Sequence, residues 1–132
     1  MTKRVLVCSH VMPAYDRESG SRRIFNLIEF LRDAGWVVSF AAGVARSDEE
    51  RYTKMLQQRG VATFLDFERI EQVIAAGRFD LAIFAFWNVA EPLMPIVREL
   101  SPETRIIVDT IDLHFLRHAR SVFLEQIGRA HV

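Results

Sequence analysis

The chain alternates short apolar runs with amphipathic segments, and this pattern constrains its fold more than any other feature. Five runs are apolar enough to form strands that are covered on both faces, at 5–8, 36–42, 61–65, 81–86 and 105–108. The segments between them carry apolar residues at helical spacing, and the connections are short. The pattern predicts an α/β fold: a Rossmann-like open parallel sheet of five strands in the order 3-2-1-4-5, with helices on both faces.

Capping residues and breakers indicate where the helices begin and end. The first three predicted helices each stop at a glycine, namely Gly35, Gly60 and Gly77. Ser47 and Glu50 form a capping box that opens the second helix, and Asp66 is expected to cap the third. A fourth helix is expected to be less regular because Pro92 and Pro95 lie near its start.

Composition excludes several classes of protein. The chain has 132 residues, half of them apolar, which is enough for one domain with a buried core. Lys plus Arg equals Asp plus Glu, 17 against 17, so no basic face for nucleic acid is indicated. The single cysteine, Cys8, lies in the first apolar run, where a small buried hydrophobic residue is expected. We expect a cytoplasmic protein without a transmembrane segment, with peripheral membrane contact left open.

Polar side chains are concentrated just after the fifth predicted strand. Asp109, Thr110, Asp112 and His114 occupy four of six consecutive positions there. Ligands of open α/β sheets bind beyond the carboxyl ends of the strands, so this cluster predicts a site. The alternative is loop capping, with Asp112 as the N-cap of the next helix. A metal site is disfavoured because no further ligand follows at a suitable spacing.

A second polar cluster lies between the first strand and the first helix, and we expect it to face the same crevice. Ser19, Gly20, Ser21 and Arg22 stand at a predicted helix N-terminus, where free N–H groups and the helix dipole attract anions. Arg23 would serve as an alternative to Arg22 for a charged contact. The plainer interpretation is an ordinary capped helix with a solvated basic turn. Neither a dinucleotide fingerprint nor a P-loop is present.

Other residues give weaker indications. His10, at the end of the first strand, is a candidate pocket residue, and Trp87 with Asn88 would line an acceptor cleft at the end of the fourth. Core packing of Trp87 is the favoured alternative to that role. Nucleophilic catalysis is not indicated, because the chain has no G-x-S-x-G motif and Cys8 lies within a strand.

Together these residues resemble a known family. The chain is similar to the N-terminal domain of GT-B-fold glycosyltransferases, most closely the retaining type that uses nucleotide-sugar donors. The resemblance covers residues 3 to about 126. It is carried by four segments: Asp16-x-x-Ser19-Gly20-Ser21, Leu31-Arg32-Asp33-Ala34-Gly35-Trp36, Phe79-Asp80-Leu81 and Val108-Asp109-Thr110-Ile111-Asp112-Leu113-His114.

The resemblance implies a role for each cluster. Ser19, Gly20, Ser21 and Arg22 would approach the donor diphosphate, and Asp112 or His114 would orient or polarise the acceptor hydroxyl. It implies a nucleotide sugar as co-substrate, a glycan or other hydroxyl acceptor, and neither a metal nor a resident cofactor. The double-glycine loop common in such proteins is here Ser19-Gly20-Ser21.

The end of the chain bears on how much of such an enzyme is present. A last helix is expected over about 113–126, whereas residues 127–132 match the in-frame translation of a common sequencing adapter (ATC GGA AGA GCA CAC GTC). We therefore expect a domain at 1–126, a non-native tail at 127–132, and a missing donor-binding domain without which the chain is inactive. A natural tail after a helix is the alternative. The alternative function is a stand-alone nucleotide- or sugar-binding module without catalysis.

Overall fold

A computed structural model describes residues 2–13, 16, 19–44, 50–67 and 69–109, with Ser19 described by its backbone only. Within these residues, five parallel strands form one sheet in the order β3-β2-β1-β4-β5, which confirms the predicted fold and strand order. The elements follow one another as β1 (Arg4–Ser9), α1 (Ser19–Asp33), β2 (Val37–Ala42), α2 (Glu50–Gln58), β3 (Ala62–Leu65), α3 (Ile70–Gly77), β4 (Leu81–Ala85), α4 (Trp87–Leu100) and β5 (Arg105–Asp109).

The sheet is covered on both faces, and the alternation of side chains in β1 shows how. Val5 and Val7 point into one apolar layer, beneath α1 and α2. Leu6 and Cys8 point into the other, beneath α3 and α4. Successive strand residues face opposite sides of a sheet, so a strand covered on both sides has to be apolar throughout. This is why β1 reads as an unbroken apolar run.

The helices end largely where the glycines predict. At the end of α1, Gly35 has a φ of 92°, and the N–H of Trp36 bonds to the carbonyl of Leu31 at 2.9 Å. The same arrangement closes α2, with Gly60 at a φ of 80°. Both are Schellman endings, which favour glycine because the backbone is left-handed. At the end of α3 the left-handed residue is instead Arg78.

The predicted cap of α3 is wrong. Asp66 and Phe67 have φ values of 70° and 51°, so the chain makes a left-handed turn at these residues and cannot begin a right-handed helix there. The helix starts only at Ile70, with Arg69 at the N-cap and no capping bond from a side chain. The predicted partner of the α2 capping box, Ser47, lies outside the described residues.

Helix α4 continues through both of its prolines, although the sequence suggested irregularity. Pro92 and Pro95 lie on the exposed side of the helix. The opposite side packs on the sheet through Val89, Leu93 and Val97, all of them buried. Burial of this apolar side stabilises a helix that lacks two of its backbone donors. Among the described residues, no helix combines the length and apolar character that a membrane span requires.

Candidate functional site

The carboxyl edge of the sheet contains a topological switch point between β1 and β4. These two strands are neighbours, but the chain leaves β1 for α1 on one face and β4 for α4 on the other. Such a divergence opens a crevice outside the strand ends, which is where open α/β sheets bind ligands. Next to it, the N–H of Phe86 donates to the carbonyl of Asp109 at 2.6 Å, so β4 and β5 remain paired up to this edge.

An ion pair joins the two polar clusters predicted from sequence. Arg23, on α1, contacts the carboxylate of Asp109, the last residue of β5. The side chain of Arg23 is 31% exposed and that of Asp109 only 13% exposed. Because β4 separates β1 from β5, the pair links α1 to a strand two positions away from the one that α1 follows. One member of each cluster therefore lies at the same carboxyl edge of the sheet.

Partial burial determines the electrostatics of this pair. Burial lowers the pKa of Arg23 from its ordinary value, since a desolvated guanidinium is less stable in its charged form. The group nevertheless stays protonated at neutral pH. The carboxylate of Asp109 is the counter-charge that makes a half-buried cation tolerable at this position.

The predicted anion-binding residues occupy the first turn of α1, but they are not equally accessible. Arg22 is exposed, whereas Ser21 is buried, so Ser21 does not form part of the outer rim. A Cβ atom placed on Gly20 would meet nothing within 4 Å. No packing contact inside the protein therefore requires glycine at this position, and the space beside its backbone is open.

Asp16, which precedes α1 in sequence, is bound to two residues of α2. The hydroxyl of Tyr52 donates to the carboxylate of Asp16, and the Arg51 guanidinium lies 2.9 Å from the same carboxylate. Arg51 also stacks over the ring of Tyr52, with 4.6 Å between guanidinium carbon and ring centroid. The Tyr52 hydrogen bond, followed by the charge of Arg51, holds the pKa of Asp16 below its ordinary value of 3.8. Tyr52 is buried on the apolar side of α2, as helical spacing of apolar residues indicates, but that spacing carries no information about its long-range partner Asp16.

Two exposed aromatic residues, Phe86 and Trp87, directly follow β4. Phe86 has φ 76° and ψ 151°, a backbone conformation rare for any residue but glycine. Trp87 is 55% exposed, so the prediction that it packs in the core is wrong. An indole ring at the first position of α4 projects away from the apolar side of that helix, which begins at Val89. The alternative, a position at the rim of a cleft, stays a prediction.

The remaining candidates divide into two groups. His10 lies exposed immediately after β1, at the carboxyl edge. Thr110, Asp112 and His114 lie outside the described residues, as does the predicted last helix. Within the described part of the chain, no three His, Cys, Asp or Glu side chains come close enough together to hold a metal ion. Cys8 is fully buried, which raises the pKa of its thiol and keeps it unreactive.

Comparisons of the chain with protein-family models, with curated proteins and with solved structures give no match in any of the three. Functional interpretation therefore depends on the fold and on the geometry of the carboxyl edge.

Proposed function

We propose that the chain is the N-terminal, acceptor-side part of a glycosyltransferase that moves a sugar from a nucleotide-sugar donor to a hydroxyl acceptor, with retention at the anomeric carbon. The observation that carries the proposal is the ion pair between Arg23 and Asp109. It brings the first turns of α1 to the end of β5. The N-terminus of that helix is suited to a diphosphate, and acidic and imidazole groups follow β5 in sequence.

The roles follow from the chemistry of each group and its position in the chain. The N–H of Gly20, in the first turn of α1, would donate to a diphosphate oxygen. Arg22, which is exposed, would add a charged hydrogen bond. Asp112 or His114, a few residues beyond Asp109, would orient or polarise the acceptor hydroxyl. No metal and no resident cofactor has a role in this scheme.

A pair of variants tests the diphosphate site directly. Addition of UDP, GDP or dTDP to ¹⁵N-labelled chain should shift the amide signals of Gly20 and Arg22. Because the added methyl enters open space, Gly20→Ala should change the free energy of unfolding by less than about 1 kcal/mol. It should nevertheless weaken diphosphate binding by about tenfold, since the methyl occupies the path by which a ligand reaches the backbone.

Arg22→Ala should also weaken binding, and a matched control separates a local contact from general charge. Arg98 is an exposed arginine in the last turn of α4, at the opposite end of the sheet. Arg98→Ala should therefore leave the nucleotide affinity unchanged. Equal losses for Arg22→Ala and Arg98→Ala would indicate non-specific attraction and contradict the proposed site.

Catalysis is tested on the protein encoded by the complete reading frame of the gene. Release of nucleoside diphosphate from a panel of nucleotide sugars, dependent on an added acceptor, is the expected result. Binding at Gly20 without any transfer by that protein would favour the alternative, a nucleotide- or sugar-binding module without catalysis. Absence of both binding and transfer would refute the proposal.

A further inference from the structure

The beginning of α4 presents an exposed polar and aromatic surface that the proposed diphosphate site does not use. Trp87, Asn88 and Glu91 are all exposed, and we call these three residues the α4 surface. Trp87 and Glu91 are four residues apart, and Asn88 and Glu91 three apart, so their side chains are neighbours on one side of the helix. Phe86, 38% exposed, directly precedes Trp87, and its N–H bonds to Asp109 at the end of β5.

The two prolines of α4 add hydrogen-bond acceptors at this surface. In a regular helix, the carbonyl of each residue accepts a bond from the N–H four residues later. Pro92 and Pro95 have no N–H, so the carbonyl groups of Asn88 and Glu91 lack that donor. Both prolines are exposed, on the same side as the α4 surface. A ligand rich in hydroxyl donors would satisfy these carbonyl oxygens.

The charges indicate which ligand fits. Helix α4 has no Lys or Arg before Arg98 in its last turn, and the ionisable group of the surface is the carboxylate of Glu91. The nearby Arg23 is already paired with Asp109. A phosphate or nucleotide would therefore meet the negative charge of Glu91, with no cationic side chain of α4 before Arg98 to compensate it.

From these observations we infer that the α4 surface binds the ring of a neutral sugar. The C–H face of the ring would lie on the indole of Trp87, a large apolar face with a polar tip. Hydroxyl groups would bond to the side chains of Asn88 and Glu91, since an amide both donates and accepts and a carboxylate accepts. The inference does not depend on transferase activity, because it concerns binding by this surface alone.

Saturation-transfer NMR tests the inference with the methyl glycosides of glucose, galactose, mannose, N-acetylglucosamine and rhamnose as probes. At least one should bind the chain, and Trp87→Ala should weaken its binding by about tenfold through loss of the aromatic contact. Glu91→Gln keeps the size of the side chain and one acceptor oxygen, so a smaller loss is expected. UMP added as a competitor should not displace the glycoside.

Phe30 provides the matched control. It is an exposed aromatic residue near the end of α1, 68% exposed and far along that helix from the carboxyl edge. Phe30→Ala should leave glycoside binding unchanged. Because both side chains are exposed, neither Phe30→Ala nor Trp87→Ala should unfold the protein, which circular dichroism will check.

The other outcomes overturn the inference. It is wrong if none of the glycosides binds, if Trp87→Ala binds like the parent chain, or if Phe30→Ala loses binding equally. It is also wrong if UMP displaces the glycoside, since the surface would then be a nucleotide site. Concentration-dependent dimerisation that Trp87→Ala abolishes would show that a second copy of the chain covers the surface.

Discussion

Replacing Asp109 by Asn tests how strongly the ion pair holds α1 to the end of β5. The substitution keeps the size of the side chain but leaves the charge of Arg23 half-buried without its counter-charge. Exposed ion pairs contribute about 0.2–1 kcal/mol, whereas removal of one partner from a fully buried pair costs about 3–5 kcal/mol. With side chains 31% and 13% exposed, this pair lies between those limits. We expect Asp109→Asn to lower the free energy of unfolding by about 1–3 kcal/mol.

A double-mutant cycle isolates the pair from other effects of the substitution. Arg23→Met retains the apolar stem of the arginine and removes its charge. The double variant should therefore be more stable than the sum of the two single losses implies, with a coupling free energy of about 1–2 kcal/mol. Urea denaturation followed by circular dichroism measures all four proteins, and thermal midpoints should differ by roughly 4 °C for each kcal/mol.

An exposed pair on α2 is the control for this cycle. Lys54 and Glu50 lie 3.6 Å apart, with side chains 67% and 72% exposed. Their coupling should not exceed about 0.5 kcal/mol, as for other pairs four residues apart on a helix. If the coupling between Arg23 and Asp109 is no larger than that of the control, the pair does not hold the edge together. There would then be no reason to place the two polar clusters at one site.

Two further predictions concern residues away from this edge. A Cβ atom on Gly77 would overlap the ring of the buried Phe79, so Gly77→Ala should lower the free energy of unfolding by about 1–3 kcal/mol in urea titrations. A loss close to zero would show that the ring moves aside freely. The Asp16 carboxyl, followed by ¹³C NMR, should titrate with a midpoint below 3.8, and Tyr52→Phe should raise that midpoint. Because the folded-state pKa lies below the unfolded one, the stabilisation from Asp16 is complete above about pH 4 and declines as the pH falls through the folded value. An unchanged midpoint in Tyr52→Phe would contradict the assignment.

The strands were predictable from sequence because a strand that is buried on both faces has to be apolar at nearly every position. The interior of β1, from Val5 to Cys8, is apolar at every position and fully buried. Its apolar sequence therefore follows directly from its burial. The end of α1 at Gly35 was also predictable, because a left-handed backbone there excludes most other residues. Strand order followed from the right-handedness of crossovers, which leaves few arrangements open.

Features that depend on tertiary contacts or local strain could not be predicted in this way. The two clusters were expected to share a crevice, but nothing in the sequence selects Arg23 rather than Arg22 as the residue that reaches Asp109. Trp87 was assigned to the core because its type is usually buried, whereas its position one residue beyond a strained turn decides the outcome. Aspartate often caps helices, but the backbone of Asp66 is left-handed, so α3 begins only at Ile70.

The backbone at Phe86 has a consequence for how this protein would respond to selection. Holding a bulky residue at a φ of 76° costs on the order of 1–3 kcal/mol, and glycine would relieve most of that cost. Selection in the laboratory for heat resistance alone would therefore favour Phe86→Gly. Such a variant would unfold at a higher temperature. It would also lose an aromatic ring, and the backbone before α4 would become more flexible. Retention of phenylalanine under a selection that also demands ligand binding would indicate that the ring contributes more to binding than glycine would contribute to stability.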